Sequence, residues 1–224
     1  MKTRFTITLL LALFAFNSYL NAQPSASIYF TSAIPINDYR DFDNDAGYGG
    51  NLEFFFFSPT KENPVGMGIS ISYFGQGLYF YNDPFTDESY LSANRANNFT
   101  NLQMIFQVAP SGGTVRPYIE TFFGGSYIFS NTEILTVDYY SVNLYYDDWA
   151  WTYGAGAGIK FLIGGAEGYG SMFLDFKGRY MMSSDVTLLD RQSIRFANDT
   201  FYYSDVETQL NFFAIQVGLV FYFR

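Results

Sequence analysis

Six ionisable residues stand inside stretches that are otherwise apolar or aromatic: Glu53, Glu120, Lys160, Asp175, Lys177 and Arg179. Asp175, Lys177 and Arg179 alternate, so on a β-strand they would share one face. Carboxylates and cations gathered on a common face could line an ion-selective path or neutralise one another as a closed network. Nucleophilic chemistry is poorly served, because the chain contains no histidine and no cysteine. A Ser–His or Cys–His nucleophile is therefore excluded, as is a His/Cys zinc site. Asp41, Asp43 and Asp45 alternate like the start of a calcium loop. The sixth position, however, is Ala46 rather than glycine, and the twelfth is Leu52 rather than glutamate. An exposed acidic loop is the expectation there. No enzyme, no metal and no cofactor are expected.

The elements that position these charges follow from parity. In WTYGAGAGIKFLIG (151–164) every odd residue is apolar or aromatic, while the even ones include Thr152, four glycines and Lys160. Period two means a strand with two unlike faces. Seven further segments alternate likewise: 26–34, 47–57, 66–74, 98–109, 116–129, 171–182 and 212–223. These lengths suit tilted membrane-crossing strands. Short connections rich in Gly, Pro or Ser (58–64, 110–115, 164–170) alternate with long ones (35–46, 81–97, 130–148, 183–211). No helical periodicity appears between the strands.

All six charges fall on the less apolar face, with Arg116 at its margin. In a soluble barrel that face would meet water, yet it also carries Phe55, Phe74, Phe122, Phe173 and Phe212. Turning the arrangement inside out accounts for both features. Large side chains point into lipid, and Gly154, Gly156 and Gly158 make room in a narrow lumen. Lys160 must then face inward, since a lysine in the hydrocarbon midplane costs about 2–4 kcal/mol. The expected fold is all-β, an eight-stranded antiparallel up-and-down transmembrane β-barrel, with ten strands as the alternative. Eight strands leave space only for side chains, so a plugged lumen is favoured over a pore.

The segment 1–22 has the basic start, apolar run and Leu20-Asn21-Ala22 end of a cleaved secretory signal, leaving a barrel domain at 23–224. The whole chain has 12 basic and 21 acidic residues. Losing Lys2 and Arg4 moves the formal charge from −9 to −11, a balance that repels nucleic acid. Aromatic residues make up 21% of the chain, more than one core of a soluble protein needs, and lipid is a place for the excess. Trp149, Trp151 and Tyr153 are expected to form an interfacial aromatic belt. Tyr139, Tyr140, Tyr145 and Tyr146, farther out on a hairpin that continues past the membrane, fit either that belt or an adhesive surface.

The segments AIPINDYRDFDNDAGYGGNLEF (33–54), RPYIETFFGGSYIF (116–129), TYGAGAGIKF (152–161) and AIQVGLVFYFR (214–224) resemble the small outer-membrane β-barrel proteins of Gram-negative bacteria. The likeness is to the OmpA/OmpX-like group, especially the porin-family barrel domain of Bacteroidota. It implies residence in the outer membrane, with outer-membrane lipid and the barrel-insertion machinery as partners. It also implies that the terminal aromatic Phe223, here followed by Arg224, is the insertion signal. The expected role is structural or surface-interactive, with long loops presented to an unknown extracellular partner. The alternatives are a narrow passive channel for ions or small solutes, or an accessory subunit of a secretion machine.

Overall fold

The computed structural model describes residues 23–59, 63–77, 90–110, 112–136, 141–165, 170–189, 195–197, 200–202 and 204–223. The proposed signal at 1–22, Tyr139, Tyr140 and Arg224 lie outside them. The elements are β1 (Ser25–Pro35), α1 (Asn37–Phe42), β2 (Gly47–Phe57), β3 (Val65–Gln76), β4 (Tyr90–Val108), β5 (Val115–Thr136) and β6 (Ser141–Gly164). They continue with β7 (Met172–Ser183), β8 (Asp185–Leu189), β9 (Arg195–Ala197), β10 (Thr200–Tyr202), β11 (Asp205–Gln209) and β12 (Phe212–Tyr222).

Eight of these strands close a barrel in the order β1-β12-β7-β6-β5-β4-β3-β2, and β2 returns to β1. Every neighbouring pair is antiparallel, so each strand of the wall has both edges hydrogen-bonded and no edge remains along the wall. The pairs β8–β11 and β9–β10 form separate two-stranded sheets within the β7–β12 connection. They do not enter the wall, which rules out ten strands.

Burial alternates along each strand with the expected phase. Ile28, Phe30, Leu52 and Ile119 are 54–63% exposed on the outside of the barrel, and so are many other large apolar side chains at lower values. Their strand neighbours Ser27, Asn51, Glu53 and Glu120 are buried. A girdle of this kind would lose roughly 25 cal/mol for every Å² held in water. With every wall edge paired, it is the surface of a transmembrane β-barrel.

Two expectations about the connections are corrected. β4, β5 and β6 run 19, 22 and 24 residues, whereas β1, β2, β3, β7 and β12 run 11 or 12. Residues 90–97, read as loop, are therefore paired strand, while the hairpin expected to continue past the membrane within 130–148 does so as strand over 130–136 and 141–148. Polar residues obscure the period-two signal of 90–97, but β4–β5 pairing carries that strand on to Tyr90↔Thr136, and β5–β6 pairing runs to Leu135↔Ser141. The second correction is α1, a six-residue helix in the β1–β2 connection. Asn37 enters it at φ 53, a left-handed turn that asparagine tolerates, and its amide donates to the Tyr180 hydroxyl at 2.9 Å. The turn points Tyr39 into the mouth of the barrel.

Candidate functional site

The lumen is built from side chains that meet across a strand of glycines. The register sets Glu120 (β5), Gly156 (β6) and Arg179 (β7) side by side, and likewise Tyr118, Gly158 and Lys177. A β-carbon on Gly158 would meet the Tyr118 hydroxyl at 2.5 Å and Lys177 Cβ at 2.8 Å. On Gly156 it would lie 3.1 Å from Arg179 Cγ and 3.3 Å from Glu120 Cγ. Missing side chains on β6 are thus what allow long ones from β5 and β7 to join over it.

They join as a four-membered ionic cluster. Lys177 contacts Glu53 at 2.5 Å and Glu120 at 3.7 Å, while Arg179 contacts each carboxylate at 2.5 Å. All four side chains are at most 2% exposed. Arg179 also sits over the Phe122 ring and Lys177 over the Tyr29 ring, the latter at 4.0 Å.

Asp175 and Lys160 are handled differently. The expectation was that Asp175 pairs with the lumen cations. Instead it accepts hydrogen bonds from the hydroxyls of Tyr29 and Tyr118, both at 2.8 Å, and no cation lies within ion-pair distance among the described residues. Lys160 is Asp175's register partner, yet its ammonium donates to Gln107 at 2.8 Å and lies 4.7 Å from the Tyr118 ring centroid. These three carboxylates and three cations sum to a formal charge of zero, to which Arg116 at the turn end adds one.

Apolar layers close the column at both ends. At the loop end, Tyr39 packs edge-on against Phe99 and Phe212, and Phe74 stacks on Phe99 at 4.9 Å. Tyr39 is fully buried and donates its hydroxyl to Gln76 at 2.7 Å. Burial, reinforced by the nearby Asp43 carboxylate, pushes this phenol well above its ordinary pKa and keeps it a donor. At the turn end, Phe173 meets Tyr222 edge-on and Arg116 lies 4.5 Å from the Phe173 ring centroid. Sequence reasoning noted the inward phenylalanines and put Tyr29 and Gln107 on the inward face without a role, but missed Tyr118 and Tyr39. Tyr118 shares the parity of the charges, which was the available signal. Tyr39 had none.

The calcium candidates are not brought together. Asp43 is buried beside Asn97, whose amide donates to it at 3.2 Å, whereas Asp41 and Asp45 are exposed. Among the described residues no cluster of three potential metal ligands exists. Asp43 also departs from the expected exposed loop, because α1 carries it under the mouth.

Trp149, Trp151 and Tyr153 all point outward from β6, at 51%, 55% and 43% exposure. Trp151 stacks on Phe123 at 5.3 Å, and Trp149 covers Gly125, where a β-carbon would run into the indole. Phe223 is outward and 44% exposed, and its N–H donates to Pro24. Beyond Trp151 the chain rises into a projection of β4, β5 and β6. The described residues of the loop end carry ten carboxylates (Asp38, Asp41, Asp43, Asp45, Glu133, Asp147, Asp148, Asp185, Asp205, Glu207) against Arg40, Arg95 and Arg195.

No family model and no curated protein matches the chain. Among solved structures it is similar to Ail, the attachment invasion locus protein of Yersinia pestis, in complex with a heparin analogue. That likeness has 12% identity, 91% of this chain and 100% of that one covered, and a TM-score of 0.45. It is similar also to the N-terminal β-barrel domain of Pseudomonas aeruginosa OprF (15% identity, 91% and 100% covered, TM-score 0.41). A third similar structure is the outer membrane protease OmpT of Escherichia coli (9% identity, 90% and 97% covered, TM-score 0.48). The closure, register and inverted faces of this chain are in themselves those of a small transmembrane β-barrel.

Proposed function

We propose that the protein is a structural and surface-interacting barrel of a bacterial outer membrane, without enzymatic activity. In this reading residues 1–22 direct export and are removed, the barrel-insertion machinery reads Phe223, and the loop end faces outward to a partner. One observation carries it: the axis of the barrel is filled. Tyr39 and its phenylalanines, the Glu53–Glu120–Lys177–Arg179 cluster and the Phe173–Tyr222 layer succeed one another along it. Eight strands leave no spare diameter around such a column. What remains for exchange with the surroundings is the loop end.

A second reading, a narrow passive channel, draws on three buried oxygens: Glu53 Oε2, Glu120 Oε2 and Asp175 Oδ1 lack hydrogen-bond partners among the described residues. Buried carboxylate oxygens of this kind are sites for water. Planar-bilayer recording of the purified protein separates the two readings. Silence over hours supports the closed barrel, and steady single-channel steps overturn it.

A further inference from the structure

On the outward face of the projection one carboxylate is ringed by aromatic side chains. The register places Asp147 of β6 directly opposite Phe129 of β5, with Trp149 opposite Tyr127 and Tyr145 opposite Asn131. Tyr145 and Trp149 flank Asp147 two residues away on its own strand, on the same face. Phe129 stacks on Tyr145 at 6.2 Å, and Tyr127 donates its hydroxyl to Asp147 Oδ2 at 2.9 Å. The site is open: Tyr145 is 66% exposed, and Trp149 and Asp147 are exposed as well.

Its neighbour has a different task. Asp148 accepts the Thr187 N–H at 2.8 Å and the Trp149 N–H at 2.7 Å, so it ties the β8 hairpin to the projection. Among the described residues Asp147 holds no backbone group. Tyr127 orients it and leaves Oδ1 without a described donor.

We propose that Asp147 and its ring of Tyr127, Phe129, Tyr145 and Trp149 form a receptor for an arginine side chain of a basic polypeptide. The proposal deepens the surface-interaction reading and rests on it. A guanidinium offers both halves of what this site complements: flat faces that stack on aromatic rings, and a fork of donors for a carboxylate. The surroundings favour a polycation over an isolated one, because ten carboxylates against three arginines among the described residues of this end draw basic segments inward. A lysine has the charge without the plane, and it is the weaker fit.

The chain's two tryptophans, Trp149 and Trp151, both lie on this face, so intrinsic fluorescence reads the site directly. The refolded full barrel in micelles is titrated with hexa-arginine, hexa-lysine and phosphocholine. The expected result is a saturable change with hexa-arginine, weaker with hexa-lysine. Asp147→Asn should weaken it about tenfold or more and Asp38→Asn by no more than about twofold, at unchanged heat-modifiable gel mobility. Equal weakening by both variants would reduce the effect to diffuse charge attraction and overturn the site. So would the absence of saturation, or a response to phosphocholine in place of hexa-arginine. Any of these failures leaves the surface-interaction reading intact, since that reading falls on channel conductance instead.

Discussion

β6 is one strand with two solutions to the same problem, and its halves are best compared. From Trp151 to Gly164 it crosses the membrane as a ribbon of glycines whose inner face is filled by neighbours' side chains. From Ser141 to Ala150 it supplies its own side chains, Tyr145, Asp147 and Trp149, to an outer face. In the first half the six charges gathered in the lumen are buried and cancel one another. In the second the aspartates are open or bonded to backbone, and the charge is strongly negative. Where hydrocarbon surrounds the wall, charge must turn inward and pair. Where it does not, charge is free to face a partner.

The comparison breaks most sharply at the ionic cluster. Arg179→Met should cost about 3–5 kcal/mol in urea unfolding from lipid vesicles, because it strands Glu53 and Glu120 with Lys177 alone. Gly158→Val should cost about 1–3 kcal/mol by the same measurement, since its side chain would enter space held by Tyr118 and Lys177. Tyr39→Phe should cost about 1 kcal/mol, as Gln76 loses its donor inside the mouth. The smallest effect belongs to the projection. Joining Asn131 to Tyr145, which are register partners, through a two-residue Asn-Gly turn should shift barrel stability by under about 0.5 kcal/mol. A large loss there would mean that the two halves are energetically one.

How much of this was legible in the sequence follows the same division. In the membrane half, lipid on one side and a packed lumen on the other impose a strict period of two, so the placement of Lys160 and Asp175 on the inward face could be read residue by residue. Their partners could not. Asp175 and Lys160 face each other in register, but Tyr29, Tyr118 and Gln107 come from other strands of the closed wall and take their hydrogen bonds. In the loop-end half the alternation of 132–151 still showed a hairpin continuing past the membrane, but both faces of Tyr90–Asn97 are polar enough to blur it, so that stretch read as loop. α1 is too short to show a helical period, and it is held by Tyr39 against phenylalanines distant in sequence.

Everything rests on the inversion of the two faces, and refolding tests it most directly. Residues 23–224, diluted from urea into phospholipid vesicles, should give a compact, heat-modifiable, protease-resistant species, whereas dilution into detergent-free buffer should give aggregate. A monodisperse, folded protein in plain buffer, with no change of gel mobility on heating, would contradict the account.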